Sequence, residues 1–291
     1  MDKAKDFKEL MKRKGKVAIG VGAHDGLTAK LVERNKFDFI WASSLEVSGA
    51  HGVPDCSILT MTQFLSHAKM MNDAVKIPIL LDADTGYGNA LNVIELVKEC
   101  ERIGIAAICI EDKKYPKQNS LFQGGTQTLA SIKSFCGKIK AAKETRQNKN
   151  FMIFARVESL IAGCGIDDAL TRARAYADAG ADAIMIHSKS SVPSEIIEFL
   201  KKYKRKNPIL LVPTTYKLTK RQIQEKFPQV RYMIFANHVI RSEIKSIDEN
   251  LKILHKTGNI KKIDDRIAPL SELFNLINMK GLKKNEAKYL R

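Results

Sequence analysis

The sequence lacks the features that mark membrane-spanning, secreted or disulfide-bonded proteins. No stretch of 18 apolar residues occurs among its 291 residues, so a transmembrane helix is not expected. The segment 1–16 is charged throughout and has no apolar core of the kind found in secretory signals. The five cysteines show no CxxC spacing, which favours a reducing compartment. We therefore expect a cytoplasmic protein.

The charge balance is strongly basic, with 49 lysines and arginines against 32 aspartates and glutamates. A nucleic-acid-binding protein would concentrate this charge and interleave it with aromatic residues. Here lysine is spread along nearly every segment, with the densest patch at 280–291. Solvated helix faces explain this pattern better than an inactive barrel that binds nucleic acid, so we expect neither a nucleic-acid nor a membrane partner. The positive field would also attract an anionic substrate.

Eight apolar, β-branched segments alternate with longer helix-compatible stretches. Because the apolar runs are continuous, they are typical of parallel strands buried on both faces. Eight β–α units predict an α/β fold, a closed (β/α)8 TIM barrel. An open doubly wound sheet would carry GxGxxG after its first strand, a spacing that Gly20, Gly22 and Gly26 do not have. The predicted strands are 16–21, 37–43, 77–84, 106–112, 151–158, 181–188, 208–214 and 231–237.

Two amphipathic segments flank the predicted barrel. Before it, Phe7, Leu10 and Met11 share one face of a short helix. After it, we expect a helical extension over about 256–291, including a helix at 268–279 whose apolar face needs a cover. The whole chain, 1–291, is predicted to be a single barrel domain with these additional C-terminal helices.

Acidic residues gather where the predicted strands end, the edge at which TIM barrels place their active sites. Asp82 and Asp84 are two apart on the predicted third strand, so their side chains are expected to point the same way, and Glu111 ends the fourth. Three converging carboxylates repel one another unless a cation neutralises them, and all-oxygen ligands favour Mg²⁺, with Mn²⁺ as an alternative. Otherwise these acids would cap helices or pair with Lys113 and Arg156.

A long polar connection follows the fourth strand, and loops of this length on barrels are usually functional lids. We predict a lid over about 112–127, in which Lys117, Asn119 and Ser120 reach an anionic group. Arg156 and His187 end the next two strands and suit a phosphoryl or carboxylate group. A histidine at a strand end can also be purely structural. The other histidines are left unassigned.

Three motifs carry a family resemblance: D-A-D-T-G-Y-G at 82–88, E-D-K-K-Y-P-K-Q-N-S at 111–120 and W-A-S-S-L at 41–45. Over about 10–280 the chain resembles the isocitrate lyase/phosphoenolpyruvate mutase superfamily. The resemblance implies that Asp82 binds Mg²⁺ directly, whereas Asp84, Glu111 and Asp55 hold its water ligands. It also implies dimers or tetramers in which C-terminal helices are swapped between subunits.

The motif at 111–120 resembles the mutase branch of that superfamily. The lyases carry K-[KR]-C-G-H with a catalytic cysteine in this loop, and the phosphonopyruvate hydrolases tend to carry threonine where this chain has Asn119. The resemblance thus implies interconversion of phosphoenolpyruvate and phosphonopyruvate, the step that forms the C–P bond in phosphonate biosynthesis. A phosphonopyruvate hydrolase and a C–C lyase of the 2-methylisocitrate lyase type are the alternatives. A phosphonopyruvate decarboxylase would be the pathway partner.

The same resemblance implies roles for the remaining site residues. The phosphoryl group would be held by Arg156, His187 and Asn119, while Lys117 and Ser120 close over it. Either a metaphosphate-like group is held while the enolate rotates, or Asp55 forms a covalent intermediate; both routes stay open. The substrate pocket would also include Trp41, Ser43, Ser44 and Leu45.

Overall fold

Eight parallel strands close into a barrel in the computed structural model, which describes residues 2–125 and 127–290. Each strand pairs with the next along the chain, and the last strand pairs with the first through residues such as Ile234 and Gly20. The predicted TIM barrel is confirmed. The strands are β1 (Ala18–Ala23), β2 (Phe39–Ala42), β3 (Ile79–Asp82), β4 (Ala107–Glu111), β5 (Met152–Val157), β6 (Ala183–Ile186), β7 (Ile209–Leu211) and β8 (Val230–Phe235).

Helices surround the barrel, and most begin with a side chain that caps the first turn, such as Asp25, Thr60 and Thr219. The segment after β2 contains a short helix, α3 (Ser44–Ala50), which Ser43 caps. The helices of this part of the chain are α1 (Lys3–Leu10), α2 (Gly26–Arg34), α3 (Ser44–Ala50), α4 (Met61–Ala74), α5 (Ala90–Arg102), α6 (Ile132–Thr145), α7 (Gly165–Asp178), α8 (Ser194–Lys202) and α9 (Lys220–Lys226).

The first helix packs against the barrel interior, as its apolar face predicts. The ring of Phe7 is fully buried, and its centroid lies 5.2 Å from that of Phe39 and 5.1 Å from that of Tyr232. The Tyr232 hydroxyl donates to the Phe7 carbonyl oxygen, so the polar tip of this aromatic cluster is satisfied. Cys100 and Cys109 are buried and belong to the core as small apolar residues.

The chain separates by its contacts into two compact units, the first ending at His238 and the second starting at Val239. The second unit is helical. The predicted helix at 268–279 is wrong in its extent, because α11 ends at Leu276 and Asn278 adopts a left-handed φ of 59° before α12 begins. The helices are α10 (His238–Thr257), α11 (Leu270–Leu276) and α12 (Met279–Tyr289), with 3-10 turns at Ile260–Lys262 and Asp264–Arg266.

No helix among residues 2–125 and 127–290 has both the length and the apolar character needed to cross a lipid bilayer.

Candidate active site

Three carboxylates meet at the carboxyl end of the barrel. Asp82 is the last residue of β3, Glu111 is the last of β4, and Asp84 lies in the turn after β3. All three are buried. Burial raises the pKa of Asp82 and of Glu111, and it raises the pKa of Asp84 to about 6. Mutual repulsion adds to this effect, since the Asp82 charge further raises the pKa of Asp84.

The two aspartates come together differently from the sequence-based prediction. β3 ends at Asp82, so Asp84 is not on the strand and strand alternation does not align the two side chains. Instead, Asp84 has a left-handed φ of 45°, and its amide points toward Asp82 Oδ1 at 3.4 Å. A left-handed conformation is unfavourable for a residue other than glycine, and such conformations cluster at functional sites.

The carboxylates have unused acceptor atoms that suit a cation. Both carboxylate oxygens of Asp84 and Oε1 of Glu111 are buried and accept no hydrogen bond. Asp82 Oδ2 accepts from the Ser44 hydroxyl at 2.9 Å. An all-oxygen donor set of this kind fits a hard divalent ion that keeps some of its water ligands, such as Mg²⁺. Within residues 2–125 and 127–290, no three His, Cys, Asp or Glu side chains are arranged to hold a metal ion by themselves.

The acidic residues also contact basic side chains, as expected if their role is to form ion pairs instead of binding a metal ion. Glu111 Oε2 lies 3.8 Å from Lys113 Nζ and 3.5 Å from Arg156 Nε. Asp84 Oδ1 lies 3.1 Å from Lys117 Nζ. The basic side chains lower the pKa values of Asp84 and Glu111, but burial outweighs them and keeps both values raised.

The three carboxylates Asp82, Asp84 and Glu111 form an acidic cluster. The loop after β4 is held beside this cluster by contacts to Asp55, a residue between α3 and α4. Lys117 Nζ contacts Asp55 Oδ1 at 2.5 Å, and Asn119 Nδ2 donates to Asp55 Oδ2 at 2.7 Å. Burial alone would raise the pKa of Asp55, but the Lys117 charge and these hydrogen bonds bring it below its ordinary value. The loop is fastened further by the Lys117 amide, which donates to the Ser57 hydroxyl at 3.1 Å. Both oxygens of Asp55 are therefore occupied.

A second polar group occupies the ends of β5 and β6. Arg156 Nε contacts Glu158 Oε1 at 2.5 Å, and Arg156 Nη2 lies 2.8 Å from His187 Nδ1. His187 Nδ1 is also 2.9 Å from Glu158 Oε1; because a guanidinium only donates and a carboxylate only accepts, the nitrogen can bond to one of them at a time. Burial and then the Arg156 charge lower the pKa of His187, so its ring is neutral near pH 7.

One pocket collects most of the predicted side chains. Asp84 and Glu111 do not line it, whereas Asp82 does. The first turn of α3 forms one wall, and its amide groups carry the partial positive charge of a helix N-terminus. The predicted residues lining the pocket are Trp41, Ser43, Ser44, Leu45, Asp55, Asp82, Lys117, Asn119, Ser120, Arg156 and His187. Lining residues that were not predicted are Leu121, Met185, Val212, Thr214, Ala236 and Asn237.

Two further residues of this group were not assigned a site role from the sequence. Glu158 is fully buried between Arg156, His187 and Ser120, and Lys113 is 1% exposed beside it. The position of Glu158, two residues after Arg156 at a strand end, was a usable signal for the first. Lys113 offered none, because its burial depends on how the loop folds back.

Sequence comparisons identify the family. The sequence profile of the family described as phosphoenolpyruvate phosphomutase matches residues 7–255. The chain belongs to this family. A phosphoenolpyruvate phosphomutase of Tetrahymena pyriformis is 44% identical to it over 92% of this chain and 89% of that protein. Family membership confirms the predicted resemblance and the prediction of an enzyme.

Solved structures agree with this assignment. The crystal structure of a phosphoenolpyruvate phosphomutase from Streptomyces platensis subsp. rosaceus has a TM-score of 0.96 and 42% identity, covering 99% of each chain. A phosphonopyruvate hydrolase crystallised with oxalate and Mg²⁺ has a TM-score of 0.94 and 38% identity, covering 100% of each chain. Overall similarity thus supports the fold and the family, and the choice between these two activities depends on the site.

Proposed function

We propose that the protein is a Mg²⁺-dependent phosphoenolpyruvate mutase, which interconverts phosphoenolpyruvate and 3-phosphonopyruvate. The observation that carries this proposal is the position of Asn119, whose side chain binds Asp55 beside the acidic cluster. Asparagine at this position distinguishes the mutase branch from the hydrolases in the resemblance described above. The related proteins named phosphoenolpyruvate phosphomutase support the same choice.

The acidic cluster would hold the cation. Asp82, which faces the pocket, is the candidate for direct coordination, and Asp84 Oδ2 and Glu111 Oε1, which accept no hydrogen bond within the protein, would accept from its water ligands. Bound there, Mg²⁺ supplies a positive charge that stabilises the enolate oxygen of a pyruvate skeleton. The related hydrolase, crystallised with Mg²⁺ and oxalate, supports a metal with a small dicarboxylate in this type of site.

The walls of the pocket offer hydrogen-bond donors to the anionic ends of such a substrate. At the N-terminus of α3, the amides near Ser44 and Leu45 would stabilise the carboxylate and enolate oxygens. On the opposite strands, Arg156 would bind phosphoryl oxygens, and the neutral ring of His187 would add one further contact. Lys117 keeps a proton throughout, because the charges of Asp84 and Asp55 raise its pKa despite burial.

Asp55 is poorly arranged to attack phosphorus. Each of its oxygens already accepts a hydrogen bond, one from Lys117 and one from Asn119, and these hydrogen bonds lower the pKa of Asp55. A carboxylate with a lowered pKa is a weaker nucleophile, and attack would require one of the contacts to break. The arrangement therefore favours a metaphosphate-like group that is held in place while the enolate turns.

Phosphorus NMR with phosphonopyruvate and MgCl₂ tests the proposal. We expect the phosphonate signal to equilibrate with phosphoenolpyruvate, and no inorganic phosphate to form at a comparable rate. Release of pyruvate and phosphate alone would identify a hydrolase, and turnover of 2-methylisocitrate would identify a lyase. The Asp82→Asn variant is the matched control, because it removes one charge and keeps the side-chain volume. If the wild-type protein does not convert phosphonopyruvate to any product in saturating MgCl₂, the proposal is wrong.

The protein would also have partners. Exposed apolar side chains on α10 and α11, such as Ile247 and Phe274, favour self-association into a dimer or tetramer. Since the C–P bond is less stable than the enol phosphate ester, a biosynthetic mutase also needs a following reaction that consumes phosphonopyruvate. A decarboxylase acting on that 2-keto acid would make the overall conversion irreversible.

A further inference from the structure

Ser120, in the loop after β4, uses every hydrogen-bonding position of its hydroxyl within the protein. Its Oγ accepts one hydrogen bond from Lys113 Nζ at 2.6 Å and another from Arg156 Nη2 at 2.9 Å. The same Oγ donates to Glu158 Oε2 at 2.6 Å. A serine hydroxyl has one proton to donate and two lone pairs to accept with. The hydroxyl is thus saturated, and it could bind a substrate oxygen only by giving up one of these three contacts.

Glu158 is the anion at the centre of this arrangement. It is fully buried, and its carboxylate contacts Arg156 Nε at 2.5 Å and Lys113 Nζ at 3.2 Å in addition to Ser120. Burial opposes its ionisation, yet the charges of Arg156 and then Lys113 hold the pKa of Glu158 well below its ordinary value. A buried carboxylate is tolerated only when it is paired in this way. Arg156 and Lys113 are likewise paired with it.

We infer that Ser120 and Glu158 form a latch that fastens the loop after β4 onto the barrel and fixes the direction of Arg156. This inference rests on the proposed function and changes the role given to Ser120, which becomes a positioning residue instead of a ligand of the phosphoryl group. Glu158 directly follows the last residue of β5, whereas Ser120 is 38 residues earlier in the loop, so their hydrogen bond joins the loop to the end of a barrel strand.

The latch has a direct consequence for water in the pocket. Lys117 and Asn119 belong to the same loop, and they bind Asp55, which also lines the pocket. With Ser120 released, the loop would lose its hydrogen bonds to Glu158 and Arg156 and would be held through Asp55, Ser57 and Lys113, so that water could reach the phosphoryl group. Loss of the latch should therefore divert turnover to hydrolysis, with little change in the affinity for substrate.

Hydrogen exchange measured by mass spectrometry tests the latch without any substrate. In Ser120→Ala, amides of residues 113–125 should exchange at least about tenfold faster, because a hydrogen bond to a charged group is lost. Ser120→Thr keeps the hydroxyl and should restore slow exchange. Exchange in α8 should stay unchanged in both variants, which shows that the barrel is intact. Unchanged exchange at 113–125 in Ser120→Ala would overturn the inference.

The Glu158→Gln variant adds a coupling test. If the two residues act as one latch, Ser120→Ala/Glu158→Gln should exchange no faster at 113–125 than the faster single variant, because either change already opens the loop. Multiplied effects would mean two separate roles and would overturn the inference. Should Glu158→Gln fail to fold, the serine variants carry the test alone.

Activity separates the latch from a substrate contact. With phosphonopyruvate, Ser120→Ala should release inorganic phosphate as a fraction of turnover at least about tenfold higher than in wild type, with KM changed by less than about threefold. A KM raised tenfold or more without phosphate release would make Ser120 a substrate ligand and overturn the latch. If the wild-type protein turns over no phosphonopyruvate, the proposed function fails, and the exchange experiment still decides the latch.

Discussion

The ammonium nitrogen of Lys117 lies 2.5 Å from Oδ1 of Asp55, and neither side chain is more than 5% exposed. The pair connects the loop after β4 with the segment between α3 and α4, so two separate parts of the chain meet over the pocket. Lys117 also lies 3.1 Å from Asp84 Oδ1, and it therefore offsets charge on both sides of the acidic cluster. Lys117 therefore has two roles, because it stabilises the fold and also shapes the site.

Replacing Lys117 by methionine tests this double role. The change leaves Asp55 and Asp84 buried beside each other without the ammonium, and breaking a buried pair in this way typically costs about 3 kcal/mol. We expect the free energy of unfolding, measured in urea, to fall by about that amount and kcat by at least about 100-fold. The control is Lys114→Met in the same loop, where the side chain is exposed. Equal stability of the two variants would contradict the buried pairing.

Asp82→Asn should remove Mg²⁺ binding while leaving the fold intact. Asp82 faces the pocket and carries a pKa raised by burial, so neutralising it removes an uncompensated charge instead of a strong ion pair. In the wild-type protein, Mg²⁺ at 100 times its Kd should stabilise the fold by about 2.7 kcal/mol. This stabilisation raises the unfolding temperature. We expect the rise caused by Mg²⁺ to vanish in Asp82→Asn and to persist in the surface variant Asp73→Asn. Calorimetric titration that found unchanged Mg²⁺ binding in Asp82→Asn would contradict the proposed site.

Mg²⁺ binding should weaken at acidic pH because protons compete for the same carboxylates. Asp84 has a pKa of about 6 in the metal-free protein, above the ordinary value of 3.8, so below pH 6 the native site holds a proton that Mg²⁺ must displace. The apparent affinity should fall about tenfold for each pH unit below 6, and it should be nearly constant above 7. Calorimetry between pH 5 and 8 measures this slope. Asp84→Asn should bind more weakly but with a shallower slope, and an unchanged slope would contradict the role of Asp84.

Asn119→Ala should divert the reaction to hydrolysis. The Asn119 side chain donates to Asp55 through Nδ2, and its Oδ1 accepts the Leu121 amide at 2.9 Å, so it orders both Asp55 and the loop. Removing it frees one oxygen of Asp55 to hydrogen-bond a water molecule beside the phosphoryl group. We expect mutase turnover to fall by about 100-fold, with inorganic phosphate as the main product in phosphorus NMR. Asn119→Thr should show the same direction. A variant with full mutase turnover and no phosphate would refute the holding role.

The barrel was predictable because its signal is local and repeated. Strands buried on both faces must be continuous apolar runs, and eight such runs, each followed by a helix-compatible stretch, define the fold without knowledge of contacts. The helix α3 has a weak sequence signal because it is short, and SLEVSGA includes the weak helix former glycine and shows little periodicity. Strand β7 spans only Ile209–Leu211 of the predicted 208–214, since apolar character continues beyond the last ladder pair.

The site was predictable only in part, for a related reason. Residues at strand ends, such as Asp82 and Arg156, follow from the barrel itself. By contrast, Glu158 gains its importance from Ser120 and Lys113, which are distant in sequence and reach it only when the loop folds back. Side-chain burial and long-range hydrogen bonds of this kind depend on tertiary packing, which local pattern does not encode.

The last prediction concerns the apolar side chains of the second unit. On α10, Ile244, Ile247 and Leu251 are 63%, 56% and 58% exposed, and their spacing of three and four residues places them on one helix face. Exposed apolar stripes of this kind mark association sites, so we expect the protein to form a dimer or tetramer in light-scattering measurements. Ile247→Glu should weaken the assembly by at least about tenfold, because burying one isoleucine contributes about 1.5–3 kcal/mol.

The matched control for that variant is Leu91→Glu, which introduces the same charge at a leucine of α5 that is 72% exposed. It should leave the molar mass unchanged, so that a general effect of added charge is separated from loss of a specific contact. The active site offers a second readout. If assembly is needed only for stability, Ile247→Glu should keep its kcat at protein concentrations where it remains folded, because every predicted site residue lies before residue 238 of its own chain. A monomeric wild-type protein with the same mass as Ile247→Glu would contradict the association.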